Sequence, residues 1–288
     1  MINVLTYCGG YPVYVYERFI NTLFTDGFDG MLYMFMKEKD LVKVKPFVDK
    51  YINIECIVSD ITTDYCTFRF EEYKQFLDKR EFPRDSHILI CDSRDVLFQR
   101  NINEMVLDQD KEIYVSFQPN EKTSMILMRN TVNDPLINKY STNTEICCGT
   151  IIATYESTKK YLEDYSNILK KFPKIVNIKT PAYGVEQMII NYLVYCTFDH
   201  EKVAFLTNDS PIMSTLGQYE YKLNGNDEFV TNMEQLYYIV HQYDRTNKAT
   251  KKRISLKHKC NFLDYGKKGC VGVKYQEFLK SYVSNQNN

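Results

Sequence analysis

The sequence predicts an α/β protein with a mainly parallel, mixed central sheet flanked by helices, and two observations carry that prediction. Strand-like apolar runs alternate with helix-like amphipathic runs through the first half of the chain, the pattern of crossover units. At 288 residues, with 44% hydrophobic and 25% charged content, the chain can also bury one large core.

The elements follow in order. Residues 2–7 read as a strand and residues 14–24 as a helix, because Tyr16, Phe19, Ile20, Leu23 and Phe24 recur at helical spacing. Residues 31–36 give a second strand, 41–50 a short helix and 52–58 a third strand. Phe70, Tyr73, Phe76 and Leu77 make the next helix face, which Pro83 ends because proline has no N–H to continue the ladder. A fourth strand at 87–91 runs straight into a carboxylate-rich turn.

The second half is less regular. Residues 113–117 read as a strand, and 118–143 as polar and irregular apart from a short helix near 136–140. An apolar run at 146–153 surrounds Gly149, and 158–172 is amphipathic, with Tyr161, Leu162, Tyr165, Ile168 and Leu169 on one face. Val185, Met188, Ile189, Tyr192 and Leu193 predict a helix starting near Gly184, with Glu186 and Gln187 in the first turn, where anionic and polar groups are favoured. The basic stretch 245–259 reads as a solvated loop or frayed tail.

Composition narrows the function. A formal net charge of −1 gives no reason to expect nucleic acid or an anionic membrane as partner. No apolar run approaches the ~18 residues of a membrane span, and no signal peptide is evident at the N-terminus. The nine cysteines are odd in number, scattered and without a CxxC pair, so free thiols in a reducing cytoplasm are expected, a host cytoplasm if the protein is viral. The oligomeric state is left open.

Two distant segments carry the chemistry. Cys91-Asp92-Ser93-Arg94-Asp95-Val96-Leu97-Phe98 places two carboxylates just beyond a buried strand, and open α/β sheets bind ligands at the carboxyl ends of their strands. Carboxylate oxygens suit Mg²⁺ and Mn²⁺, and an imidazole from Ile239-Val240-His241 shifts the expectation toward Mn²⁺. Asp92, Asp95 and His241 are therefore the metal candidates. Arg94 could pair with a phosphate or lock the aspartates, the second fitting its planar fork better. In the first-strand loop Gly9 and Gly10 permit close backbone approach, and Tyr7 or Tyr11 could stack on a base.

The stretch from His87 through Asp92-Ser93-Arg94-Asp95-Val96-Leu97-Phe98-Gln99 resembles the Asp-x-Asp region of GT-A-fold, nucleotide-sugar-dependent glycosyltransferases, including a viral branch. The segment from Ile239 to Arg245 is similar to the C-terminal histidine motif of that branch. Between them, Cys147-Cys148-Gly149-Thr150 occupies the place of the family's Asn-Ser/Ala-Gly, with Cys147 where Asn is usual, and Glu186-Gln187 resembles an Asp-Gln helix opening. The aspartates are spaced Asp-x-x-Asp. Thr6, Tyr7, Gly9 and Tyr11 match the loop that cradles the nucleotide, and residues 211–217 resemble a loop closing on the acceptor side.

The resemblance implies a single GT-A-like domain over residues 1–245, with a nucleotide-binding half to about 118 and an acceptor half from about 119, and a basic extension at 246–288 that packs on or covers the site. It implies a transferase moving a sugar from a nucleoside-diphosphate sugar, UDP-linked by preference, to a glycan or other hydroxyl acceptor. Asp95 and His241, with Asp92 direct or through water, would hold Mn²⁺ or Mg²⁺ against the diphosphate. Asp92 and Arg94 would meet the donor, and Glu186, Gln187 and Asp209 would serve the acceptor side, Glu186 or Asp209 as base. Lys248, Lys251 and Lys252 could fold over the diphosphate as a lid. Two other classes compete: a glycan-binding or scaffolding protein on a decayed transferase fold, and a magnesium-dependent phosphohydrolase or nucleotidyltransferase.

Overall fold

A computed structural model describes residues 1–62, 64–177, 184–217 and 220–258, leaving aside the side chains of 119–122 and 255–256. The chain opens with β1 (Ile2–Tyr7), α1 (Val13–Phe24), β2 (Leu32–Met36), α2 (Glu38–Val48), β3 (Ile54–Val58), α3 (Tyr65–Asp78) and β4 (His87–Asp92). It continues through β5 (Val96–Phe98), β6 (Ile113–Lys122), α4 (Arg129–Val132), α5 (Pro135–Tyr140), β7 (Thr144–Thr154), α6 (Tyr155–Lys171) and α7 (Val185–Tyr192). The last described elements are β8 (Val203–Leu206), β9 (Met213–Thr215), β10 (Lys222–Leu223), β11 (Phe229–Val230), β12 (Ile239–His241) and α8 (Lys248–Lys257).

Seven strands form the main sheet in the order β3-β2-β1-β4-β7-β6-β8. The crossover half, β3-β2-β1-β4, is parallel, β7 runs antiparallel to both its neighbours, and β6 pairs in parallel with β8. The expected α/β class with a mostly parallel mixed sheet is therefore present. Alternation sends successive side chains to opposite faces. Leu5, Tyr33, Phe35, Ile88 and Ile90 join one apolar cluster with residues of α3, α6 and α7, while Val4, Leu32, Met34, Leu89 and Cys91 join another with residues of α1 and α2. Burial on both faces explains why these strands read as continuous apolar runs.

A smaller sheet decides where the site forms. In the order β5-β12-β9, β12 runs antiparallel to β5 and parallel to β9. Its register sets His241 opposite Val96, and the Gln242 N–H donates to the Asp95 carbonyl at 2.8 Å. Of the segment expected to be a closing loop, residues 213–215 instead form β9, because their backbone pairs with β12.

Two further expectations are corrected. β6 does not end near Phe117 but continues to Lys122, its backbone following β7 across two register shifts. The basic stretch is not a loop over residues 248–257 but α8. One apolar residue anchors it, Ile254, buried with Leu216, Phe229 and Tyr243, and charge complementarity does the rest, through Arg253–Asp227 at 3.0 Å and Lys257–Glu228 at 2.7 Å. In the sequence Ile254 and Leu256 stand two residues apart, which is not helical spacing, so there is no periodicity to read. Residues 259–288 of the basic extension lie outside the described residues. Among those described, no helix is long and apolar enough to cross a membrane.

Candidate metal and ligand site

β4 ends at Asp92, and the turn to β5 delivers Asp95. β12, paired with β5, brings His241 beside both, so that Nε2 stands 3.6 Å from Asp92 Oδ2 and 3.6 Å from Asp95 Oδ1. Within the described residues these three form a candidate metal-binding group, one ligand atom of each lying within 4.8 Å of the others. Ligands at about 2.1 Å around one hard cation lie roughly 3 to 4 Å apart, and the two 3.6 Å separations from Nε2 fall in that range.

The backbone makes room for it. β4 and β7 pair with Cys91 opposite Thr150, which sets Gly149 beside Asp92. A Cβ on Gly149 would collide with the His241 imidazole and come within 2.9 Å of Asp92 Oδ2. Glycine is required there by space, with no special backbone angle involved.

Around this group lies a cavity of about 170 Å³, lined by Asp92, Arg94, Asp95, His241 and Arg245 together with Cys148, Gly184, Glu186 and Gln187. Buried polar atoms of its lining, Glu186 Oε2, Gln187 Nε2 and Gln242 Oε1, have no hydrogen-bond partner among the described residues, nor has Oδ1 of Asp244, which pairs with the lining residue Arg94 through its other oxygen. Buried polar groups are otherwise nearly always paired, so these are positions for a polar ligand or ordered water to satisfy.

The charges interlock. The Arg69 guanidinium, buried on α3, donates to Asp92 Oδ1, leaving Oδ2 turned toward His241. Arg94 Nη2 lies 3.3 Å from Asp95 and 3.5 Å from Asp244, so it spans two carboxylates. Burial works against ionisation of Asp92, but Arg69 and then His241 outweigh it and hold the carboxyl below the usual range. At Asp95 burial is again overcome, by His241 above all. For His241 burial disfavours the imidazolium, yet Cys147, Asp95 and Asp92 together raise its pKa well above the ordinary histidine value. Glu186 and Asp244 go the other way: burial raises both, against the pull of Arg69 on the first, and with Asp95 adding to the rise of the second.

The other sequence-derived candidates divide. Glu186 and Gln187 stand in the first turn of α7 at the cavity wall, as expected, with the Glu186 carboxylate folded over Gly184. Asp209 is elsewhere, in a turn beyond β8, accepting from Asn232 at 2.8 Å, and it does not line the cavity. Arg245 reaches the cavity, whereas Lys248, Lys251 and Lys252 do not line it. Thr6 is buried within the sheet, its hydroxyl 4.0 Å from the Cys8 sulfur.

The aromatic candidates are rearranged in the same way. Tyr7 is buried, its ring stacked on Tyr65 at 5.5 Å and 8° and its hydroxyl 3.2 Å from Ser59. Gly9 abuts the same ring, where a Cβ would come within 2.9 Å. The accessible member of the stack is Tyr65, 45% exposed, which lies outside every motif singled out above. Gly10 takes φ 73° and donates its N–H to Asp40 at 2.9 Å, bending the loop that carries Tyr11. Tyr11 packs its ring 6.2 Å from that of Tyr16 and donates its N–H to the Tyr16 hydroxyl at 3.2 Å, and it does not line the cavity; burial, and next Asp92, push its own hydroxyl pKa up.

Arg69 was also missed, although the chain carried a signal for it. Cys66, Arg69, Phe70, Tyr73, Phe76 and Leu77 share one helical stripe, and an arginine on a core-facing stripe needs a buried carboxylate. Asp244 and Arg245 lay within the histidine segment without an assigned role. Neither the known protein families nor the curated proteins compared with this chain give a match.

Proposed function

We propose that this chain is a divalent-metal-dependent glycosyltransferase of GT-A type that moves a sugar from a nucleoside-diphosphate sugar, UDP-linked by preference, to a hydroxyl of a glycan or other acceptor. The observation that carries the proposal is the convergence of Asp92, Asp95 and His241 at the carboxyl end of a parallel sheet, in a polar cavity with Gly149 making space. Asp95, His241 and Oδ2 of Asp92, the oxygen that Arg69 does not take, would hold Mn²⁺ or Mg²⁺. When bound, the cation supplies positive charge against a diphosphate leaving group.

The chain's own residues divide the remaining work. Arg69 fixes the orientation of Asp92, and Arg94, which lines the cavity, bridges Asp95 and Asp244. Arg245, exposed at the cavity rim, offers a guanidinium to a phosphate oxygen. Glu186 is the carboxyl assigned to the acceptor hydroxyl, since burial raises its pKa toward the working range of a base and Oε2 has no partner among the described residues. Asp209, engaged with Asn232, gives up that role.

Incubating the full-length chain with a panel of UDP- and GDP-sugars and Mn²⁺ tests the reading. Release of nucleoside diphosphate that stops on chelation is expected, with product mass identifying the sugar. Release of sugar phosphate would favour a phosphohydrolase, and no binding of any donor would favour the glycan-binding or scaffold class.

A further inference from the structure

We propose that Cys147 is a positioning residue for His241, its sulfur accepting the imidazole Nδ1–H and so turning Nε2 toward Asp92 and Asp95. This rests on the metal reading of that cluster and deepens it, because it assigns what aims the nitrogen ligand. Cys147 is buried in β7 with Sγ 3.3 Å from His241 Nδ1. The Gln242 side-chain amide faces the same sulfur at 3.8 Å, so two N–H groups converge on one acceptor.

The rest of the ring's surroundings agree. Gly149 closes on the imidazole at Cε1 and Nε2. The main chain on either side is pinned, by Leu216 N–H to the His241 carbonyl at 3.0 Å and Gln242 N–H to the Asp95 carbonyl at 2.8 Å. Turning the ring over would set carbon against the two carboxylates and take Nδ1 off the sulfur. A histidine that binds metal through one nitrogen almost always donates from the other to an acceptor, usually a carbonyl or carboxylate, and that contact fixes ring orientation. Here a thiol sulfur, a weaker acceptor, fills the position.

Two readouts on the ¹⁵N-labelled full-length chain test this. In the chelated protein, the Nδ1–H signal of His241, assigned by its loss in His241→Gln, is expected to be slow to exchange with water. It should move and exchange faster in Cys147→Ala, and stay in Cys147→Ser, whose hydroxyl accepts. The Mn²⁺ dissociation constant, read from the electron paramagnetic resonance of free Mn²⁺, should rise about 10- to 100-fold in Cys147→Ala and recover in Cys147→Ser. If alanine does not fold, Cys147→Val, which removes the acceptor and keeps the bulk, stands in under the same criteria. An unchanged Nδ1–H signal or an unchanged Mn²⁺ affinity in the variant without an acceptor overturns the positioning role. A wild-type chain that shows the sulfur-dependent Nδ1–H signal but binds no Mn²⁺ supports the Cys147–His241 contact and overturns the metal reading instead.

Discussion

One buried polar cluster lies on β7 and α7, a second is centred on the ends of β4 and β12 with Glu186 and Gln187 of α7 at its wall, and the two differ in one respect. At Glu145 and Asn191 the groups satisfy one another: Glu145 accepts from the Ser124 N–H and from its hydroxyl at 2.7 Å, while Asn191 accepts the Ile146 N–H at 2.8 Å and donates to Ile146 O at 2.9 Å and Gln187 O at 2.8 Å. Around Asp92, Asp95 and His241 the carboxylates are paired, but Glu186, Gln187, Gln242 and Asp244 each keep a buried polar atom with no partner among the described residues. A closed network specifies packing, whereas an open one beside a cavity keeps capacity for something else. The first cluster staples the turn before α4 to β7 and α7, and so holds Glu186 and Gln187 against the second.

The contrast breaks most sharply under Asp95→Asn. Donor turnover is expected to fall at least about 100-fold, more than the loss of an orienting neighbour would cause, while the thermal melt stays cooperative. Retained turnover would remove the metal reading.

Asn191→Ala should do the reverse. It leaves the Ile146 N–H without its buried acceptor, for a cost of about 2–3 kcal/mol, or a melting temperature lower by roughly 4–10 °C in a chain of this size. Mn²⁺ affinity of the folded variant should hold. A large loss of affinity with an unchanged melt would show that the staple is part of the site.

The smallest effect is on pH. In chelated protein the raised pKa of His241 gives a stabilisation fully present below the unfolded-state value of about 6.5 and lost as pH rises through the folded value. The lowered pKa values of Asp92 and Asp95 act oppositely, stabilising above about 4 and losing that contribution as pH falls through the folded values. The melting difference between wild type and His241→Gln should therefore be largest near pH 5–6 and shrink toward alkaline pH. Mn²⁺ affinity should climb with pH instead, by up to about tenfold per unit, because the metal competes with the Nε2 proton. A flat affinity profile would place His241 outside the ligand set.

Much of the scaffold was legible in the chain because its cause is local. The runs that became β1, β2 and β4 are buried on both faces, and the helix faces around Phe19, Tyr73 and Tyr161 recur at helical spacing. What failed was structure maintained from outside its own sequence. β6 runs on past Phe117 through pairing with β7, and α8 depends on one buried isoleucine and on acidic partners at 227 and 228.

The site divides along the same line. From the sequence came Asp92, Asp95 and His241 as a set, because both segments follow short apolar strands and resemble paired motifs of one family, with Glu186 and Gln187 at a helix start. Only the tertiary structure decided that Arg69 holds one oxygen of Asp92, that Tyr65 covers Tyr7, that Asp209 stays away, and that Cys147 faces the back of the imidazole. Those relations join segments that share no spacing in the chain: α3 carries Arg69 and Tyr65, and the register of β12 against β5 and of β7 against β4 brings Cys147 to His241. Periodicity reveals which face a residue takes, while the partner it meets there depends on which strand is hydrogen-bonded alongside.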